Sequence, residues 1–176
     1  LRLTPYRIPG GDVGMRRFGK YSILGMIILT CQIALGGWTS ANYAALACTS
    51  LPICEGIWYE RLDFWGAFNV PDAANYELEA HHYDALITLH VVHRIGALIT
   101  FLYLCWLGIR LYAVASSNFI KKLSALMVSV LGIQIILGVS NVVYSLPIAI
   151  AVMHNIVAAC LMLVLIKISY TLYRKT

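Results

Sequence analysis

The chain has 176 residues, 60% of them hydrophobic and 12% charged, with a formal net charge of +5. Its few charges fall in clusters between long apolar runs, and a soluble domain of this size would not carry four such runs. The basic balance follows from membrane topology, so it gives no reason to invoke nucleic acid.

Residues 1–20 hold a polar, Gly- and Pro-containing stretch, Thr4–Gly14, that reads as a cytoplasmic linker. With Leu1 first and no cleavable signal pattern, the expectation is one part of a longer polypeptide. The first apolar run is Tyr21–Thr39, followed by a long connection, Ser40–Asp84, rich in acids and containing Cys48 and Cys54. Within it, Ile57–Phe68 mixes Trp58, Tyr59, Phe64, Trp65 and Phe68 with Glu60, Arg61 and Asp63, which predicts a short amphipathic helix on the membrane surface, a lid or an aromatic belt anchor. The second run, Ala85–Leu111, carries His90, His93 and Arg94; the third is Leu123–Val143 and the fourth Pro147–Tyr170. Each is long enough to cross a bilayer core, which takes roughly 20 apolar residues. The predicted fold is all-α: one domain over 21–176, a membrane four-helix bundle of four transmembrane helices, with a long extracytoplasmic loop after the first helix.

Charge sets the expected orientation. Arg2, Arg7, Arg16, Arg17 and Lys20 precede the first run, Arg110, Lys121 and Lys122 flank the second connection, and Lys167, Arg174 and Lys175 mark the end. These places belong in the cytoplasm. The first connection, with Glu55, Glu60, Asp63, Asp72, Glu77, Glu79 and Asp84 against Arg61, faces outward, as does the uncharged third connection around Asn141–Leu146. The second and fourth helices then both enter from outside. His93 lies about eight residues past Ala85 and His154 about seven past Pro147, so both rings should lie on the order of 10–12 Å deep.

Two imidazoles at one depth in facing helices are what a six-coordinate heme iron needs. Small residues border both: Gly96 and Ala97 follow His93, and Ala151 and Ala158 flank His154. They would leave room for a flat macrocycle. A bare structural zinc would want four ligands. Against this, a lone membrane histidine is commonly just hydrogen-bonded to a neighbour. Arg94 could snorkel, pair with a heme propionate, or bind backbone carbonyls of a loop. Cys48 and Cys54 suit a structural disulfide in an oxidising compartment or a redox-exchanging pair, whereas Cys31, Cys105 and Cys160 read as packing residues. His81 and His82 stand at the membrane entrance beside acids. A short echo, Gln32-Ile33-Ala34-Leu35-Gly36 against Gln134-Ile135-Ile136-Leu137-Gly138, suggests two related hairpins; Gln and Gly also recur simply where membrane helices pack closely.

The run from Gln32 through Gly37-Trp38-Thr39-Ser40-Ala41-Asn42 to Cys48, then Pro52 and Cys54-Glu55-Gly56, resembles the outer loop of bacterial heme A synthases. His90-Val91-Val92-His93-Arg94-Ile95-Gly96-Ala97-Leu98 resembles their His-Arg helix, and Gly138–His154, with Ser140-Asn141-Val142-Val143-Tyr144-Ser145-Leu146-Pro147, their last hairpin. The resemblance covers almost the whole chain after Arg17. Members of that family have eight helices in two similar halves, and this chain looks like the C-terminal half. The resemblance implies that His93 and His154 ligate a b-type heme (heme b), with His90, Arg94 and Gly96 in the cofactor-binding set, and that Cys48 and Cys54 form a disulfide near the heme edge. In the family's N-terminal half a Glu stands three residues before the His-Arg pair; here that position is His90, so this half should carry no catalytic residue.

The implied activity is an oxidoreductase that converts the C8 methyl of heme O to a formyl group, giving heme A for terminal oxidases, in the bacterial cytoplasmic (inner) membrane. The present half would hold the heme for electron transfer, and heme O would bind through the other half. Heme O synthase and a second copy of the chain are further conceivable partners beside the lipid bilayer. A stand-alone membrane cytochrome b explains the histidines equally well but not the Trp38–Cys48 loop. A quinone-linked thiol oxidase uses the cysteines but leaves the matched histidines unexplained.

Overall fold

In hydrocarbon the backbone must satisfy its own hydrogen bonds, and these apolar runs do so as helices. The computed structural model describes residues 15–52, 54, 56–69 and 83–173. His81, His82, the Thr4–Gly14 linker and several of the charged residues counted above lie outside the described residues. The helices are α1 (Arg16–Ala41), α2 (Phe64–Phe68), α3 (Tyr83–Val114), α4 (Asn118–Val143) and α5 (Ile148–Tyr173), with 3₁₀ turns at Ala44–Leu46 and Trp58–Arg61. Among the described residues all regular structure is helical. The four long helices are each long and apolar enough to cross a membrane.

Three of the four helices extend well beyond their apolar runs. α1 begins at Arg16, so residues 16–20 belong to the helix and not to a linker; Arg and Lys are good helix formers once the chain has left the hydrocarbon. The 57–68 segment is not one amphipathic helix. It breaks at Leu62–Asp63, because the Asp63 carboxylate accepts the Gly66 N–H at 2.9 Å and caps a separate short helix. Tyr59, Phe64, Trp65 and Phe68 remain exposed there, while Ala67 is buried.

α1 packs on α3 and α5, and α4 packs on the same two helices. The ring order is therefore α1, α3, α4, α5, which sets α3 diagonally across from α5. Successive long helices run antiparallel. Arg16, Arg17, Lys20, Arg110, Lys121, Lys122 and Lys167 consequently gather toward the end opposite the 42–82 connection. Small residues let the helices close up. Ser22 receives a 3.0 Å hydrogen bond from Ser169, and a Cβ added at Gly108 would approach Val128 Cγ2 to 2.6 Å.

The burial pattern repeats. Phe18, Ser22, Gly25 and Leu29 of α1 match Ile120, Ser124, Met127 and Leu131 of α4, at the spacing that separates Gln32 from Gln134. Thr100, Leu104, Leu107, Gly108 and Leu111 of α3 match Leu161, Leu165, Ile168, Ser169 and Leu172 of α5, at the spacing that separates His93 from His154. Tyr43 and Ser145, each two residues past its helix end, both adopt left-handed backbone, at φ 56° and 55°. The α1–α3 and α4–α5 pairs are thus two copies of one hairpin design. The buried residues 85–91 of α3 have no such echo, because there the long connection docks.

Gly108→Leu should wedge α3 from α4 and lower stability by about 1–3 kcal/mol, read as an earlier helical melt by circular dichroism in detergent. Gly37→Ala, where an added Cβ meets nothing within 4 Å, should not lower the melt, since alanine is the better helix former.

Candidate functional site

The bundle has a tightly packed floor and a polar storey above it. Leu29, Thr100, Leu131 and Leu161 are the last buried residues on the four helices before that storey. Beyond them, toward the end carrying the 42–82 connection, Gln32, His93, Gln134 and His154 are half-buried. His93 and His154 belong to the diagonal pair α3 and α5.

Each ring is held by the preceding long helix. Gln32 Nε2 lies 3.1 Å from His93 Nδ1 and donates to the His93 carbonyl oxygen at 3.1 Å. Gln134 Nε2 lies 3.2 Å from His154 Nε2. One turn on from each glutamine a glycine faces the ring: a Cβ at Gly36 would stand 3.1 Å from His93 Cε1, and one at Gly138 would stand 3.2 Å from His154 Cε1. The echo in the sequence is therefore a repeated device, Gln-x-x-x-Gly against a histidine. The equal spacing of glutamine to glycine in the sequence marks the repeat, and the contact of each glutamine with a histidine is added by the fold.

The pairs differ in which nitrogen they engage. The amide meets Nδ1 in His93 and Nε2 in His154. Gln32 Oε1, Gln134 Oε1, Asn141 Oδ1 and His154 Nδ1 are buried with no hydrogen-bond partner among the described residues. Buried polar atoms are rarely left so, and four of them ring the two imidazoles and the adjacent end of α4.

The other predicted site residues go elsewhere. His90 is buried and its ring reaches the backbone of Ala44, in the 3₁₀ turn after α1. Arg94 donates from both terminal nitrogens to loop carbonyls, Nη1 to Ser50 at 2.8 Å and Nη2 to Cys48 at 2.6 Å. Gly96 faces α1: a Cβ added there would strike Gln32 Oε1 and stand 3.4 Å from Leu35 Cδ1. Cys48 and Cys54 are disulfide-bonded, with Cα atoms 5.1 Å apart, in a cluster with Ile87 and Val91.

The connection is tied down at several further points. Trp38 Nε1 donates to the Ala67 carbonyl at 2.9 Å, the Asp63 N–H donates to Thr88 Oγ1 at 2.8 Å, and Arg61 pairs with Asp84 at 2.6 Å. Among the described residues no group of three or more His, Cys, Asp or Glu side chains could hold a bare metal ion. Two imidazoles from diagonal helices in one storey would suit an ion that brings its other ligands with it, as iron in a porphyrin does.

The family model described as cytochrome oxidase assembly protein (COX15-CtaA) matches residues 7–166. A protein of Shewanella oneidensis named heme A synthase is 44% identical over 178 residues, covering 100% of this chain and 53% of its own length. A heme A synthase of Neorickettsia sennetsu is 26% identical over 147 residues, covering 81% of this chain and 41% of its own length. The chain thus spans about half the length of the curated relatives it matches. No solved structure matches it.

Arg94→Ala should strand two loop carbonyls, a loss of about 1–3 kcal/mol. The expected result is faster reduction of the Cys48–Cys54 bond by dithiothreitol, followed by thiol labelling; an unchanged rate would deny Arg94 this role.

Proposed function

The chain belongs to the cytochrome oxidase assembly protein family whose matched relatives are heme A synthases, and on that premise we propose that it is the heme-carrying half of such an enzyme. In this reading His93 and His154 would hold a b-type heme through their imidazole nitrogens. The observation that carries this reading is the placement of one imidazole on each of two diagonal helices, just above a packed floor, with unpartnered buried polar atoms beside them. A heme bound through two imidazoles supplies one-electron transfer and has no open iron position for oxygen.

The chain's own residues prepare that role. Leu29, Thr100, Leu131 and Leu161 close the site from below and keep water out. Arg94 and the disulfide-bonded segment cover it from the loop end. Asp63 caps α2 and Asp84 pairs with Arg61, so both carboxylates serve the docking of the connection. With His90 at the position where the family's other half carries Glu, methyl oxidation is assigned to that other half, and this half exchanges electrons with it. The whole enzyme oxidises the C8 methyl of heme O to the formyl of heme A, destined for terminal oxidases. The segregation of basic residues to one end supports a cytoplasmic-membrane location with the 40–84 loop outside.

His93→Ala and His154→Ala, each purified in detergent, should lose the six-coordinate low-spin absorption spectrum, with the wild-type pigment identified as heme b by pyridine hemochrome. If both variants keep the wild-type heme content and spectrum, the ligand assignment is wrong.

A further inference from the structure

We propose that Gln32 and Gln134 are positioning residues for the two imidazoles and act as two-ended amides. The NH₂ end holds the ring as seen here, and the carbonyl end accepts the ring N–H once the other ring nitrogen binds metal. This rests on the bis-imidazole reading above.

The motivation is a matched pair of unmet needs. An imidazole that ligates a metal through one nitrogen carries its proton on the other, and that N–H wants an acceptor, which fixes the ring and makes it a stronger ligand. In hydrocarbon the acceptor must come from the protein. Gln32 Oε1 and Gln134 Oε1 are both buried and without a partner, although each belongs to an amide whose nitrogen already lies at its histidine, 3.1 Å from His93 Nδ1 and 3.2 Å from His154 Nε2. Among polar side chains an amide is suited to this exchange, because donor and acceptor occupy the same place after a half-turn about one bond, although at Gln32 that turn also gives up the donation to the His93 carbonyl oxygen. A Lys offers only donors, and an ionised Glu only acceptors.

The geometry also shows why the residue must be long and polar and its neighbour must be glycine. Each ring is clamped at two points, an amide at a nitrogen and a glycine face at Cε1, where an added Cβ would come to 3.1 Å in the first pair and 3.2 Å in the second. A Cβ at Gly36 or Gly138 would require the ring to give by a few tenths of an ångström. Ordinary helix packing would require only that Gln32 and Gln134 fill space. It would not require both to meet a histidine nitrogen, at the same spacing from a glycine, in both halves of the repeat.

The test uses the purified heme-loaded protein and the variants Gln32→Leu, Gln134→Leu, Gln32→Glu and Gln134→Glu. Readouts are heme midpoint potential, low-spin EPR g-values and heme retention on dilution. Losing the acceptor should raise the potential, move the g-values and weaken heme retention roughly 10–100-fold in the Leu variants. The Glu variants keep an acceptor and should retain heme at a lowered potential. Leu variants with wild-type potential and g-values overturn the proposal, as do Glu and Leu variants that shift in the same direction. Should the Leu variants lose heme altogether, the Glu variants decide: heme retained at lowered potential supports the proposal, and heme lost there too overturns it. A wild type without low-spin heme instead refutes the bis-imidazole reading itself.

Discussion

A polar side chain inside a membrane must find its partner within the protein, and the contacts of Gln32 with His93 and of Gln134 with His154 meet that demand for the amide nitrogens while leaving both amide oxygens unpartnered. Each joins two helices of a hairpin at one level, and together they place four polar groups, one from every long helix, in a single storey. Removing either partner would leave an uncompensated polar group in hydrocarbon, so histidine and glutamine are mutually dependent. The floor beneath supplies rigidity, because Leu104, Leu107, Leu161 and Leu165 are packed without exposure and leave little freedom for the helices to slide.

The 42–82 connection makes the two hairpins unequal. On the α4–α5 side a tight turn suffices, closed by the Leu146 N–H donating to the Asn141 carbonyl at 2.7 Å. On the α1–α3 side, α3 begins earlier and its first turns are buried under the loop, through Thr88, Leu89, His90 and Val91. Arg94, adjacent in sequence to His93, reaches across to that loop. One end of the storey is therefore built from a repeat, and its cover is an addition to one copy only.

Much of the bundle was legible from residue order. Four apolar runs, a His-Arg pair and a cysteine pair predict the helices and the general region of the site. The extent of the repeat was not. The shared segment Gln-Ile-x-Leu-Gly is short, while the equivalence of Phe18 with Ile120 or Gly108 with Ser169 holds only in burial, since packing in lipid selects size and position and not residue identity. The break at Asp63 was missed because aromatic spacing masked a capping residue. That Gln32 and Leu35 are the side chains facing Gly96 is likewise not written in the sequence, which does not tell which neighbour lies beside a glycine.

What the residues alone determined were the quantities set by composition and period: span length, charge segregation, antiparallel order through short connections, and the presence of two histidines near one depth. Only the tertiary structure decided how helices pair around the ring, and hence that α3 and α5 are diagonal and that the glutamines, not Gly96, Arg94 or His90, reach the two rings. The physical reason is that hydropathy acts along a helix and is local. Side-chain hydrogen bonds across a bundle depend on the rotation and neighbours of each helix, which are set by the packing of all four together.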